Sequence, residues 1–462
     1  MKLLNNKTTT LLLSSLAILA LSGCGTEGAP SERGLSGTPV VTPPVDGNTP
    51  PVANAGTDQT IKQCTKITLD GTKSYDEDGN IASYEWFAQD GQKVGEGATF
   101  EYTMTLPVPV ETYTVTLLVT DNEGAQAQDA MNITFEDYNL TVTNKGVIYN
   151  DFDGSAIKDM EFSTDGKKLY TAAARSASNG GDDIPNGLTI LDLETNITTH
   201  IEVGDSHSRY VKLSKDEQTA YLTGGDDYYF AFIDLTNNTV RKIVDLDDYA
   251  VGIAVTADGT KAYVGWETQG VAVMDLQTEQ NTSRLILNDN DNYANTVILS
   301  QDEKTLFVTE SGDGFVSYDL VNNTFETIAT DGGSEYAADF ALSSDEKTAY
   351  VTLGGDGGMD IIDIEGKNII TRVLDINGTD QLSKTRQVKA TWDDKLLFVA
   401  DMDYDNTLFV VDLNDNNKIT QVKNTSGITC KKPDAVEISP DGSKVFLGCG
   451  NGVVAEFDIG CQ

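Results

Sequence analysis

Two short phrases recur along the chain in a fixed order, and their spacing constrains the fold more than any other feature. The first phrase is aromatic-rich, as in Thr348-Ala-Tyr-Val-Thr352, and the second sets an aspartate between apolar residues, as in Ile362-Asp-Ile364. The aspartates of the second phrase stand at 192, 234, 275, 319, 363, 412 and 458, in steps of 41 to 49 residues. A repeat of this length with several short strands per unit is typical of a β-propeller. The sequence therefore predicts an all-β chain in which residues 138–462 form a seven-bladed β-propeller.

The last repeat ends just after its third predicted strand. Residues 139–148, which precede the first complete repeat, have the composition of a strand and are predicted to supply the missing fourth one. This pairing closes the ring and removes an open sheet edge, which would otherwise favour aggregation.

The N-terminus has the pattern of an export signal. Lys2 and Lys7 precede an apolar stretch at 11–21, which is too short for a stable membrane span. The following Leu21-Ser-Gly-Cys24 resembles the bacterial lipoprotein cleavage box, and this resemblance implies removal of a signal peptide at 1–23 and acylation of Cys24. In lipoproteins of this kind, an aspartate after the cysteine often retains the protein at the inner membrane. Gly25 stands there instead. The resemblance therefore implies an outer-membrane lipoprotein in a host that has an outer membrane, either periplasmic or surface-exposed. Residues 24–50 are rich in Gly, Ser, Thr and Pro and are predicted to form a disordered tether.

Residues 51–137 alternate apolar and polar side chains as a β-sandwich does, for example at Val115, Leu117 and Val119. The segments Ser74-Tyr-Asp76 and Tyr84-Glu-Trp86, together with the stretch at 113–124, resemble the polycystic kidney disease (PKD) domain, an immunoglobulin-like sandwich. The resemblance implies an extracellular spacer or a module that contacts protein or glycan.

The repeats themselves resemble a family of seven-bladed propellers named for the phrase Tyr-Val-Thr-Asn (YVTN), which is related to lactonase-like propellers. The stretches at 163–171 and 188–196 match its two phrases. The family contains enzymes, sensors and proteins with no known reaction, so the resemblance implies a fold and leaves the activity open.

Four cysteines besides Cys24 occur in a chain predicted to reach an oxidising compartment. Cys430 precedes the inner strand of the last repeat and Cys449 ends its neighbour, whereas Cys461 follows the third strand near the sandwich. We therefore expect two disulfides, Cys430–Cys449 and an interdomain Cys64–Cys461.

Charge and histidine content narrow the functional classes. The formal net charge is −40, which makes nucleic acid and anionic lipid surfaces poor partners, so membrane contact is expected only through the lipid anchor. The two histidines, seven residues apart, do not suit the haem, copper or zinc sites of other propellers. No Gly-x-Ser-x-Gly segment for a serine hydrolase occurs in the sequence.

A second set of aspartates, at 165, 216, 258, 302, 345, 393 and 441, marks the predicted turn after each inner strand. Aligning the repeats on these turn aspartates brings one set of residues to the predicted mouth of the central channel. The position seven residues upstream of each aspartate is occupied by Lys158, Arg209, Val251, Asn295, Ala338, Arg386 and Asp434. The next position includes Asp159 and Asp339. Arginine pairs suit a carboxylate or phosphate, so we expect a ligand site formed by Lys158, Asp159, Arg209, Asp339, Arg386 and Asp434. The alternative is that these charges neutralise one another across the ring.

Acidic loops suggest calcium as the candidate cofactor. Asp401, Asp403 and Asp405 place carboxylates at every second position, as at the start of a calcium loop, although no glycine occupies the sixth place. The alternative is a solvated polar turn.

Together these features predict a lipid-anchored cell-envelope protein whose propeller is a platform for an envelope or extracellular protein or glycan. The alternative is a lactonase-like, metal-assisted hydrolase of small molecules, or a metabolite sensor, at the channel mouth.

Overall fold

The protein is seen here as a computed structural model. It describes residues 47–62, 66–89, 91, 93–103, 112–136, 140–149, 155–175, 186–204, 207–225, 228–247, 249–266, 270–287, 294–310, 314–329, 337–354, 358–373 and 382–461. The signal peptide, Cys24 and most of the tether lie outside these ranges, as does Cys64 of the predicted interdomain disulfide. Within the described ranges the chain is all-β, and no helix there is long and apolar enough to cross a membrane.

The described part of the N-terminal sandwich contains seven strands. They are β1 (Gln59–Lys62), β2 (Lys66–Asp70), β3 (Ile81–Phe87), β4 (Lys93–Glu96), β5 (Thr99–Thr103), β6 (Thr112–Asp121) and β7 (Gln126–Glu136). One sheet has the order β1-β7-β6-β3-β4 and the other pairs β2 with β5. Trp86 is fully buried between the sheets against Leu69 and Leu117, and its indole N–H donates to the carbonyl of Gly97 at 3.0 Å.

Seven four-stranded antiparallel sheets follow in the described part of the chain, and these are the blades. The first three are β9–β12 (Ser155–Phe162, Lys168–Arg175, Gly187–Asp192, Thr198–Glu202), β13–β16 (Ser208–Leu213, Thr219–Gly224, Tyr229–Asp234, Thr239–Asp245) and β17–β20 (Ala250–Val255, Lys261–Trp266, Gly270–Asp275, Gln280–Leu285). The next three are β21–β24 (Ala294–Leu299, Thr305–Glu310, Gly314–Asp319, Thr324–Ala329), β25–β28 (Ala337–Leu342, Thr348–Leu353, Met359–Asp363, Asn368–Val373) and β29–β32 (Thr385–Ala390, Leu396–Asp401, Thr407–Asp412, Lys418–Lys423).

The seventh blade confirms the predicted closure. It contains β33 (Pro433–Ile438), β34 (Lys444–Cys449) and β35 (Val454–Cys461), and its fourth strand is β8 (Leu140–Tyr149). The two ends of the propeller are therefore held together by the antiparallel pairing of β35 with β8. Cys430 and Cys449 form a disulfide beside the first strand of this blade, in the pairing expected from the sequence.

The burial pattern explains why each repeat has two phrases. The second and third strands of a blade are covered on both faces by the neighbouring blades, so β14 and β15 are almost continuously buried. The outer strand β16 alternates exposed and half-buried side chains because one face meets solvent. The aromatic phrase and the Asp phrase are thus the two buried strands, and the stretch after each Asp phrase, such as Thr239–Asp245, is the outer strand.

Each innermost strand ends in the same turn. A Ser or Thr hydroxyl donates to an Asp two residues later at 2.6–2.8 Å, in the pairs Ser163–Asp165, Ser214–Asp216, Thr256–Asp258, Ser300–Asp302, Ser343–Asp345, Thr391–Asp393 and Ser439–Asp441. The residue after each Asp has a positive φ, at Gly166, Glu217, Gly259, Glu303, Glu346, Asp394 and Gly442. Four of the seven are acidic residues in place of the glycine that this conformation favours.

The four acidic residues each bond to the adjacent blade. The carboxylates of Glu217, Glu303, Glu346 and Asp394 accept the backbone N–H of Thr164, Ala257, Gln301 and Ser344, respectively, in the turn of the preceding blade. We call the seven turns and these bonds the turn end of the propeller.

Candidate functional site

The opposite end of the inner strands surrounds a cavity of about 500 Å³, which we call the mouth cavity. Its described lining is Lys158, Arg209, Tyr210, Tyr249, Val251, Ala294, Asn295, Ala338, Asp339, Arg386, Gln387, Met402 and Asp434. All seven residues of the upstream alignment position occur in this set, one from each blade. The structure therefore brings together the residues that the repeat alignment placed at the channel mouth.

Two of the cations meet one carboxylate. Lys158, on β9, is hydrogen-bonded to Asp434, on β33, and Arg386, on β29, lies 3.7 Å from the other oxygen of Asp434. Asp434 is 7% exposed and Lys158 is largely covered, so these charges are poorly hydrated. The pairing that the sequence left open as an alternative to ligand binding exists here, and it joins the first, sixth and seventh blades.

Arg209 approaches the cavity from the second blade and rests on an aromatic ring. Its guanidinium carbon lies 5.0 Å from the centroid of the Tyr249 ring, a distance at which a cation and a π face attract each other. Tyr249 immediately precedes β17 in the third blade. The ring therefore orients the guanidinium at the wall of the cavity.

Asp339 and Tyr210 form the buried polar side of the cavity. One oxygen of Asp339 accepts the N–H of Val388 at 3.0 Å, and burial raises the pKa of this carboxyl to about 6. The hydroxyl of Tyr210 lies 2.9 Å from that of Thr296, and burial raises the pKa of the phenol. Asp339 is thus a carboxyl that changes protonation near neutral pH while it lines a cavity.

Asp159 lies elsewhere, and its expected place in the ligand site is corrected. It does not occur among the described residues that line the cavity. Its two oxygens accept the N–H of Val211 at 3.0 Å and the side-chain amide of Gln387 at 2.7 Å, and the residue is 4% exposed. The sequence placed it near the mouth because it follows Lys158. The carboxylate instead bonds to donors of the second and sixth blades, so it joins the first blade to both.

Deeper charges lie on the same inner strands. Lys212 is 3.5 Å from Glu161, and Lys389 is 2.8 Å from Glu437. Burial raises the pKa of Glu161 to about 7 in spite of Lys212. These pairs hold the inner strands together across blades.

Sequence reasoning missed Tyr249 and Met402 as members of the cavity. Tyr249 stands nine residues before its turn aspartate, two positions outside the aligned column. Met402 follows the second strand of the sixth blade and reaches the cavity from a loop, where it contacts Arg386. A wider window upstream of the aligned column would have found the tyrosine, whereas nothing in the repeat signals the methionine.

The acidic loop proposed for calcium has protein donors on each carboxylate. Asp401 accepts the N–H groups of Ser383 and Asp403 at 2.7 and 3.0 Å. Asp403 accepts from Lys384 at 3.1 Å, and Asp405 accepts the N–H of Lys432 at 2.9 Å. Across the described ranges, no group of three or more His, Cys, Asp or Glu residues could hold a metal ion.

Comparisons with known proteins identify the N-terminal domain. Residues 48–135 match the family model of the PKD domain. Collagenase ColA of Clostridium perfringens is 38% identical over 108 residues, which are 23% of this chain and 9% of that protein. The dyslexia-associated protein KIAA0319 homolog of Mus musculus is 39% identical over 92 residues, which are 19% of this chain and 8% of that protein. This chain thus spans less than a tenth of the curated relatives it matches, and the PKD match indicates a surface or protein-interaction domain.

A solved structure resembles a larger part of the chain. A chain of Kuenenia stuttgartiensis hydrazine synthase superposes with a TM-score of 0.53 and 16% identity, covering 66% of this chain and 96% of that one. At this identity the likeness concerns the fold alone, and it agrees with the seven four-stranded sheets.

Proposed function

We propose that the protein is an exported cell-envelope binding protein, anchored by lipid at Cys24, whose propeller binds its partner and whose PKD domain acts as a spacer or second contact. The partner is an envelope or extracellular protein or glycan. The observation that carries this proposal is the combination of a PKD domain with a closed propeller that presents a charged cavity at one end.

The export signal supports the envelope location. The apolar stretch at 11–21 ends in the lipoprotein-like box at Cys24, and a polar stretch separates it from the first strand at Gln59. A polar, Gly- and Pro-containing stretch of this length holds a folded domain clear of a membrane surface.

The closed ring supports a binding role because it is a rigid support. Side chains from all seven blades line one cavity, so their positions are fixed by the ring rather than by a single loop. A binding site on strands is positioned more accurately than one on loops, and this lowers the entropy lost on binding.

Co-sedimentation tests the proposal. Purified full-length protein is mixed with isolated cell envelopes and, separately, with secreted polysaccharide, and the bound fraction is measured against protein concentration. We expect saturable binding to one of these fractions. Binding that rises linearly without saturation, or none to either fraction, contradicts a binding function. In cells, Cys24→Ala should release the protein from the membrane fraction.

Asp339 supports a second candidate, a lactonase-like hydrolase with metal assistance. A cavity-lining carboxyl with a pKa of about 6 is suited to general acid–base chemistry at neutral pH. Under this candidate a sugar lactone is turned over in the presence of a divalent cation, and Asp339→Asn abolishes turnover. A turnover rate that is equal in the variant and the wild type rules out the residue as the base.

A further inference from the structure

We propose that the mouth cavity binds the carboxylate of a small organic acid, either free or carried by an acidic sugar of a glycan, with Arg209 and Arg386 as its binding residues. This inference rests on the proposed binding function and names the chemistry of its ligand.

The charge of the cavity is opposite to that of the protein. Among its described lining residues, three cations, Lys158, Arg209 and Arg386, face two carboxylates, Asp339 and Asp434. The whole chain carries a net charge of −40. A local positive excess inside a strongly acidic protein concentrates anions at one place, since the field elsewhere on the surface repels them.

The cavity already holds one carboxylate of its own. Asp434 is bound by Lys158 and lies 3.7 Å from Arg386, in a position where little water reaches it. The same cations therefore have the geometry to bind an oxyanion, and Arg209 on the second blade extends the cationic wall beyond Asp434. Guanidinium groups suit carboxylates because two parallel N–H donors match the two oxygens.

The size of the positive excess favours a carboxylate over a phosphate. With both lining carboxyls ionised, three cations against two anions leave one positive charge, which a monoanion neutralises. A phosphate dianion would leave the partly buried cavity with an unpaired negative charge, and this is costly where water is scarce.

The remaining lining suits the body of an organic acid. The aromatic rings of Tyr210 and Tyr249 and the side chains of Val251 and Met402 give an apolar wall, and Asn295 adds an amide. A cavity of about 500 Å³ lies within the usual range of small-ligand sites, which is roughly 300–1,000 Å³. We infer an acid with a compact apolar or sugar body.

Titration calorimetry on the full-length protein tests the inference with acids and their uncharged counterparts. The pairs are propionate and propionamide, benzoate and benzamide, and D-galacturonate and D-galactose, with trigalacturonate as the glycan arm and inorganic phosphate as the competing anion. We expect at least one acid to bind about tenfold or more tightly than its neutral counterpart, because the charge-assisted bonds are lost in the latter. Tighter binding of trigalacturonate than of the monomer indicates a glycan source, and equal binding indicates a free acid.

Variants separate binding from general charge effects. Arg209→Gln and Arg386→Gln should each weaken acid binding about tenfold, through loss of one charge-assisted contact. Arg284→Gln is the matched control, because Arg284 also lies on an aromatic ring, 5.6 Å from the centroid of Trp266, and does not line the cavity within the described residues. Asp434→Asn removes the internal competitor and should tighten binding.

Three outcomes overturn the inference. They are an absence of preference for any acid over its neutral counterpart, equal losses in Arg284→Gln and Arg209→Gln, and tighter binding of inorganic phosphate than of every carboxylate. If acids fail to bind while the protein still co-sediments with envelopes or polysaccharide, the inference falls and the proposed function stands. If acids bind without any co-sedimentation, the cavity serves a free metabolite and the envelope-binding function falls.

Discussion

The two ends of the inner strands differ in how closely they follow the repeat. At the turn end, all seven blades have the same Ser/Thr-x-Asp bond and the same positive φ one residue later. At the mouth end, the seven equivalent positions hold lysine, arginine, valine, asparagine, alanine, arginine and aspartate. The same backbone geometry thus accepts a fixed sequence at one end and a variable one at the other.

This difference separates the residue types that the fold requires from the positions that it leaves free to vary. A tight turn needs a side-chain acceptor and a residue that tolerates positive φ, so each repeat meets the same constraint. The mouth residues support no turn, and their side chains meet in a shared space. Departure from the repeat therefore marks the candidate site, whereas agreement with it marks the scaffold.

The largest effect on stability is expected at the mouth end of the closing blade. Replacing Cys430 and Cys449 together by serine should lower the free energy of unfolding by about 3 kcal/mol, because the disulfide restricts the unfolded chain. Denaturant unfolding of the wild type with and without reductant serves as the control. Equal midpoints for variant and wild type would show that the disulfide adds nothing to the stability of this blade.

The second prediction concerns pH and the cavity carboxyl. The pKa of Asp339 is about 6 in the folded protein against an ordinary value of 3.8, so the folded state binds this proton more tightly than the unfolded state. The stabilisation is complete below pH 4 and is lost as the pH rises through 6, by about 3 kcal/mol for a shift of this size. The stability of Asp339→Asn relative to wild type should therefore increase from pH 4 to pH 7.5.

Comparing the variant with the wild type removes the contribution of the other titrating groups to the pH dependence of stability. Glu161, with a pKa of about 7, changes protonation in the same range in both proteins, so it drops out of the difference. If the free energies of unfolding of variant and wild type differ by the same amount at pH 4 and pH 7.5, the Asp339 carboxyl ionises as it would in water.

A smaller effect is expected at the turn end. Glu346 has a φ of 56° and accepts the N–H of Gln301 in the preceding blade at 2.7 Å. Glu346→Ala removes this bond and keeps the strained backbone, so it should cost about 1 kcal/mol. Glu346→Gly also loses the bond but relieves a backbone cost of about 1 kcal/mol, and should lie closer to wild type. Thermal unfolding of both variants measures the difference, and the reverse order would contradict this account of the turn.

The smallest effect is expected from calcium. Asp401, Asp403 and Asp405 already accept protein N–H groups, and an ion would have to displace or share those bonds. We expect calcium and chelator to shift the unfolding midpoint of the purified protein by less than about 1 °C, which for a domain of this size corresponds to a fraction of a kcal/mol. A larger calcium-dependent rise that disappears in Asp403→Asn would establish a calcium site in this loop.

Much of the fold follows from the sequence because its constraints are local and repeated. Buried strands need continuous apolar runs and the turns need Asp, so seven blades and the closing role of the strand that begins at Leu140 can be read from spacing. The seven aligned mouth positions could be predicted for the same reason. Residues that lie equally far from equivalent turns reach the same height on the ring.

The contacts among the charged mouth residues could not be predicted. Whether Asp434 meets Lys158, Arg386 or a ligand depends on distances across the ring, which the repeat does not encode. Asp159 was placed at the mouth because the repeat does not show that its carboxylate bonds to Val211 and Gln387, and Met402 was missed because it reaches the cavity from a loop. The sequence thus predicts which strand end holds the candidate site, whereas the contacts within it come from the structure.

The most direct test of the comparison measures two quantities on two variants, the affinity for a carboxylate and the free energy of unfolding. Arg209→Gln at the mouth end should weaken carboxylate binding about tenfold and change the unfolding free energy by less than about 1 kcal/mol. Glu346→Ala at the turn end should keep the wild-type affinity and lose about 1 kcal/mol of stability. Equal losses of affinity in both variants, or wild-type affinity in Arg209→Gln, would contradict the assignment of the mouth as the site and the turn end as scaffold.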